Sequence, residues 1–294
     1  MIKNYGDRKL TSFGIGRAYF QIICSFYGIS FFIPFILTII RKFFLLQYFE
    51  KLRIFRIPVK SVDHELDTKV PFREDLYPVY MNFINYWINP LSMLLKKFGH
   101  FKGLKLCKEF IKEIKKAYDS AYLIYSESLT TTYRPVPQTK EVKKIQKVDP
   151  HYCCVPSLHI SIVVLTISFY KMLFERENFT EEERNNWNRE LYDQGIAICE
   201  SVLYMKQHSV NCIPAAIYMM TKTEPAIMNT ELGNKMISDL FVNASDVEKT
   251  DSEKIRAYIQ QFYERLLSES SCCDDWTKPI LSWLEAYRPY VRNV

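Results

Sequence analysis

Histidine is scarce in this chain, with five in 294 residues, and two of the five sit in unusual surroundings. His159 closes the string Pro156-Ser157-Leu158-His159 at the start of an apolar run, and His208 closes Lys206-Gln207-His208 within another. A proline and a serine at a helix start leave free backbone N–H groups at the positive end of the helix dipole, which suits an anion such as phosphate. Upstream, Tyr133-Arg134-Pro135 carries Arg134 out of an apolar stretch into a loop, where its guanidinium can make a forked contact with phosphate oxygens. Two imidazoles and an arginine at helix ends are the parts of a phosphoryl transfer: one histidine attacks phosphorus, the other protonates the leaving oxygen, and the cation steadies the charge. That chemistry calls for no metal and no cofactor. The eight cysteines (Cys24, Cys107, Cys199, Cys212 and the adjacent pairs Cys153-Cys154 and Cys272-Cys273) show no C-x-x-C spacing with partner histidines, so a zinc site is not expected and free or buried thiols are. Taken singly, each motif also fits an ordinary hydrogen-bonded core histidine.

Something must position these groups, and composition points to helices. Hydrophobic residues make up 48% and charged residues 24%, which excludes a disordered or fibrous chain. Eight glycines against 20 tyrosines and 20 phenylalanines argue against glycine-rich phosphate loops and hairpin-rich sheets. The 39 basic residues are nearly matched by 33 acidic ones, so the net charge of +6 does not imply nucleic acid. From Ala18 to Ile40 no charge interrupts the chain, a length that spans the roughly 30 Å of a bilayer core. Tyr77 to Leu95 is also uncharged but carries Asn82, Asn85 and Asn89, and Val155 to Phe174 has a strongly apolar centre. Tyr118 to Thr132 and Gln194 to Met220 are weaker candidates. If these lie in a membrane, the eight lysines between Lys96 and Lys116 place that connector in the cytoplasm and Tyr133 and Pro156 on the opposite face. After Thr221 charges return. There Ile255, Ile259, Phe262 and Leu266 fall on one side of a helix whose start, Thr250 to Glu253, offers N-cap chemistry. Three segments are expected: 1–60 with the first membrane helix, 61–222 with the phosphate motifs, and a polar helical tail at 223–294.

The order of the motifs resembles the type 2 phosphatidic acid phosphatase and haloperoxidase superfamily, especially its membrane branch that includes the inositol phosphorylceramide synthases. That pattern is Arg-Pro, then Pro-Ser-x-His, then Ser-Arg-x5-His-x3-Asp. Here Arg134-Pro135, Pro156-Ser157-Leu158-His159, and Ser201-Val202 through His208 to Cys212 stand in the same order and spacing. Asp67-Thr68-Lys69-Val70-Pro71-Phe72 looks like the Asp-x-x-Ile-Pro-Phe segment of that branch, and Lys206-Gln207-His208 like its Thr-Lys-Gln-His. The resemblance covers about residues 60 to 220. It implies a six-helix transmembrane bundle with the site on the non-cytoplasmic face; with the C-terminal helical tail, which lies outside the resemblance, the expected fold is all-α, in a plasma (inner) membrane. The resemblance also implies His208 as the nucleophile of a phosphohistidine, His159 as general acid, and Arg134 with Ser157 as phosphate ligands. The substrate would be a lipid phosphate or a prenyl diphosphate.

Three positions depart from the pattern. Cys212 stands where the family has the Asp that orients the nucleophilic imidazole, Val202 where it has a phosphate-binding Arg, and Glu127 where it has a Lys. Asp149 and Glu200 are the nearby carboxylates that could substitute for the missing one. The competing expectations are a catalytically degenerate relative that binds lipid or a protein partner, and a soluble helical protein whose apolar helices form an ordinary core.

Overall fold

The computed structural model describes residues 4–291, and over them the chain is mostly helical, as an all-α fold requires. A 3₁₀ turn at Leu10–Phe13 leads into α1 (Gly16–Ile23) and α2 (Phe26–Ile39). The uncharged run Ala18–Ile40 is therefore not one helix. Ser25 is extended (φ −122°, ψ 130°) and its Oγ accepts the Gly28 N–H, so a second helix is capped inside the apolar stretch. α2 continues through a π-helical segment, Ile40–Leu45, into α3 (Leu46–Lys51).

β1 (Val59–Ser61) and two 3₁₀ turns precede α4 (Tyr77–Tyr125), which folds back on itself at Gly99. Gly99 has φ 75°, a left-handed conformation that favours glycine. Four residues on, a Cβ on Gly103 would stand 2.8 Å from Leu95 Cα, so the two arms of the hairpin approach backbone to backbone. β2 (Leu129–Thr131) comes next and pairs in parallel with β1, Val59 opposite Leu129 and Ser61 opposite Thr131. Then come α5 (Lys140–Val148), α6 (Leu158–Arg176), α7 (Glu181–Tyr204), α8 (Cys212–Thr223), α9 (Thr230–Asp239), α10 (Lys249–Ser270) and α11 (Lys278–Ala286).

Among the described residues, two helices are long and apolar enough to cross a membrane, Phe26–Lys51 and Leu158–Arg176. Their surroundings differ. In α6, 78% of the apolar window lies inside the protein, enclosed by α4, α7 and α8, whereas in Phe26–Lys51 only 22% does. The N-terminal helix instead leaves Phe26, Ile33, Leu37, Ile40 and Phe44 exposed.

The C-terminal segment packs against the preceding helices. α10 buries Ile255, Ile259, Phe262 and Leu266, the face read from the sequence, and packs on α8. Its N-cap is Glu248 without a side-chain cap bond, so Thr250 and Ser252 lie inside the helix rather than before it. Tyr258 Oη donates to Asn211 Oδ1 at 2.6 Å, and Asn211 Nδ2 donates to Tyr287 Oη at 2.9 Å, which ties the tail to the loop that carries His208.

The turns are held by a buried ion pair. Lys97 Nζ lies 2.6 and 2.8 Å from the two Glu183 carboxylate oxygens, with both side chains almost wholly enclosed. The same carboxylate accepts the Tyr5 N–H and closes a capping box with Thr180 at the start of α7. One group thus fixes the N-terminal segment, the end of the first α4 arm and the α6–α7 turn. Glu183→Ala leaves the buried ammonium without its carboxylate and is expected to cost about 3–5 kcal/mol of unfolding free energy. Denaturant titration checks this, and a loss under about 1 kcal/mol would mean that the pair contributes no more than an exposed one.

Candidate functional site

Strand β2 lies between β1 and the segment before α6. Thr130 N–H donates to Tyr152 O at 2.9 Å and Cys154 N–H donates to Thr130 O at 3.3 Å, which brings Arg134 and the start of α6 to one place. Ser157 is the N-cap of α6, its Oγ accepting the Ile160 N–H at 3.4 Å, so His159 projects from the first helical turn. The other side of the site is the loop between α7 and α8. Lys206 turns left-handed there (φ 52°), and the N–H groups of Gln207 and His208 both donate to Val202 O.

That loop is clamped by the segment around Asp67. The Asp67 carboxylate accepts Val210 N–H through Oδ1 and His64 N–H through Oδ2, each at 2.8 Å. The Lys206 ammonium donates to the carbonyls of Asp67 and Val70. Burial pushes the Asp67 carboxyl up, and hydrogen bonds with the Lys206 charge pull it back only as far as about 6.

The two histidines meet. The rings of His159 and His208 have centroids 5.6 Å apart at 67°, and Ser157 Oγ lies 3.1 Å from His208 Nε2. Tyr80 and Phe83 pack on the His159 ring at 5.1 and 4.5 Å. Both imidazoles border a narrow cavity of about 30 Å³, whose rim also includes His151, Asp149, Tyr80 and Gln47. Arg134 reaches it through Asp149: Nη2 donates to the Asp149 carbonyl at 3.2 Å and Nη1 lies 3.8 Å from Oδ2. Of the residues expected to act together, His159, His208 and Ser157 therefore converge, and Arg134 stands behind Asp149 at the rim. No family model, curated protein or solved structure matches the chain.

The departures from the motif have structural roles of another kind. Cys212 is buried, and its Sγ accepts the Ser209 N–H at 3.3 Å, so it closes the turn into α8 instead of supporting the imidazole. Val202 is fully buried, and its carbonyl takes both loop N–H groups. Glu127 is exposed in the turn after α4, away from the cavity. Of the two substitute carboxylates, Glu200 is turned to the Phe241 N–H, and Asp149 is engaged with Arg134 and with His151, 3.7 Å from its Nδ1. Neither bonds His208, whose Nδ1 makes no well-formed hydrogen bond, the Cys154 backbone being the polar group near the imidazole.

The charges at the rim are set by burial and pairing. Burial first, then the His159 and His151 imidazoles, hold His208 well below the usual histidine range, so its ring is neutral at pH 7. Burial likewise lowers His151, against the opposing pull of Asp149. For Asp149 burial acts upward, but the His151 hydrogen bond and the Arg134 charge outweigh it and keep the carboxylate ionised. His151 and Gln47 are site residues that the motifs do not include. His151 stands five residues before Pro156 beside the Cys153-Cys154 pair, and its Nε2 lies 2.8 Å from Thr132 Oγ1. Gln47 is the single amide in Phe43-Phe44-Leu45-Leu46-Gln47, and that isolation is the one signal the sequence offers, with nothing in it to show which way the side chain faces.

Asp67→Asn replaces one of two accepting oxygens by a donor that faces a backbone N–H, an expected cost of about 1–3 kcal/mol. A carboxyl raised above its unfolded value stabilises the native state most when protonated. Its contribution is fully present below the ordinary value of 3.8 and is lost as pH rises through about 6. The stability difference between wild type and Asp67→Asn should therefore narrow with rising pH across that window. Unfolding titrations at a series of pH values test it, and parallel pH profiles would contradict the buried clamp.

Proposed function

We propose that the protein is a membrane-bound lipid-phosphate phosphatase or phosphotransferase working through a phosphohistidine on His208. The observation that carries this reading is the convergence of the His159 and His208 rings at 5.6 Å on one cavity beside Arg134, in the motif order of the phosphatase superfamily that the sequence resembles. The neutral Nε2 of His208 attacks phosphorus while the bond to the leaving oxygen breaks, and His159 gives that oxygen its proton. Arg134 and the Ser157 hydroxyl hold the phosphoryl oxygens. In the second half of the cycle His159 takes a proton from water, or from an acceptor alcohol, as it attacks the phosphohistidine and frees His208.

The substrate class comes from the membrane. The reading sets Phe26–Lys51 in the bilayer of a plasma (inner) membrane with its exposed apolar side chains against lipid, and the site on the non-cytoplasmic side. α2 with α3, the two arms of α4, α6, α7 and α8 then correspond to the six helices of the bundle. A phosphate on a lipid or prenyl chain is the substrate that such a site would meet.

A second reading, a degenerate relative that binds lipid or a protein without turnover, draws support from the orphaned His208 Nδ1 and from Cys212. Removal of an orienting carboxylate costs about 10⁴-fold in the serine-protease triad. Purified protein in detergent should release phosphate slowly from phosphatidic acid and, on rapid quenching, carry an acid-labile phosphohistidine that His208→Ala removes. The double change Cys212→Asp, Val202→Arg should raise turnover by about tenfold or more. Turnover that survives His208→Ala sinks the first reading. Absence of both turnover and phosphoenzyme in the wild type, with activity only after the double change, favours the second.

A further inference from the structure

Gln47 is 1% exposed, deep among apolar side chains, and its amide is half satisfied. Oε1 accepts the Tyr152 N–H at 2.8 Å, and because a backbone N–H can only donate, this bond fixes which end of the amide is oxygen. Nε2, the donor end, has no hydrogen-bond partner among the described residues, and the residue borders the cavity shared by His159 and His208. A buried amide N–H without a partner costs about 1–3 kcal/mol, so its retention points to something that it binds. Three more unsatisfied buried atoms belong to the same neighbourhood: Arg134 Nη1, which is 3.8 Å from its carboxylate, His208 Nδ1, and the acceptor oxygen Gln207 Oε1.

The backbone is bent to put Gln47 there. The face of α2 that packs inward includes Phe31, Phe35 and Thr38. In an uninterrupted α-helix, a residue nine positions beyond Thr38 would lie roughly half a turn away from that face. The π segment Ile40–Leu45 widens the helix and rotates α3 relative to α2, so that Leu46 and Gln47 are the buried residues of α3. The cavity itself, about 30 Å³, has the size of about one water, so a ligand with several oxygens enters only by separating Ser157 from His208.

We propose that the Gln47 side-chain amide is a ligand for a phosphoryl oxygen, supplied to the His208–His159 cavity by the N-terminal apolar helix. The inference rests on the phosphoryl reading of that cavity and adds to it a donor from outside the three motifs. It also makes the site dependent on the seating of Phe26–Lys51, the helix with the exposed apolar side chains. Ligand binding and the placement of that helix then stabilise each other.

Orthovanadate serves as the probe, with the full chain in detergent and affinity measured by equilibrium dialysis. Gln47→Glu keeps an oxygen for the Tyr152 N–H but replaces the donor by a group that ionises; Gln47→Met keeps the length and loses both. If Gln47 binds the oxyanion, Gln47→Glu weakens vanadate by about tenfold or more, and the deficit widens as pH rises through the titration of the new carboxyl. Thermal unfolding should show the reverse order, Gln47→Met being the less stable because it alone loses the Tyr152 bond. A Gln47→Glu protein that binds vanadate like the wild type, at every pH, overturns the proposal, as does weakening confined to Gln47→Met. Should Gln47→Glu not fold, Gln47→Met decides alone, and unchanged affinity there overturns the proposal. Failure of the wild type to bind vanadate at all overturns the phosphoryl reading and this inference with it, whereas wild-type binding with an insensitive Gln47 overturns the inference only.

Discussion

The loop that carries His208 has no regular structure of its own, and the buried Asp67 carboxylate is what holds it in place. Its two oxygens take N–H groups from opposite sides, one before α4 and one after α7, and the Lys206 ammonium closes the clamp from the loop side. The clamp acts with the Val202 carbonyl and the Ser157 contact to fix the distance between His208 and His159, which ride on different elements. The clamp also couples residues far apart in sequence, Asp67 helping to set the position of the loop that carries His208.

Around this point the molecule solves a packing conflict. Imidazoles, a guanidinium and two amides are enclosed by an apolar helical bundle, where every unsatisfied polar atom is costly. Most are satisfied internally: Arg134 by Asp149, His151 by Thr132, Ser157 by Ile160 N–H and His208. A few are not, and those gather around a common narrow cavity from the N-terminal helix and the His208 loop. Cys212, four residues after His208, is buried and serves the backbone turn rather than the imidazole. His208 is thus neutral but loosely oriented, with its Nε2 engaged by Ser157, and in the proposed phosphoryl reading such an arrangement suits slow chemistry.

Much of this was legible in the sequence. Helical content could be read from few glycines, and the buried side of α10 from the spacing of Ile255, Ile259, Phe262 and Leu266. The proximity of Ser157, His159 and His208 could be read from motif order, because helix starts and loop exits collect at the same end of a bundle. The break at Ser25 was not legible, since a cap within an uncharged run leaves no trace in hydropathy. Nor was Gln47: its inward direction depends on the π segment before it, and ordinary helical periodicity assigns that residue to the wrong side. The fit of the tail against the His208 loop escaped for a similar reason, because Tyr258 and Tyr287 act through single hydroxyl contacts that no spacing announces.

The central claim is that the space between His208 and His159 receives a phosphoryl group. A structure of the protein with orthovanadate bound tests it most directly. The expected result is vanadium bonded to His208 Nε2, the Ser157–His208 hydrogen bond opened, and equatorial oxygens within hydrogen-bond distance of Arg134. Vanadate bound elsewhere, with the Ser157–His208 bond intact and the cavity unchanged, would contradict it.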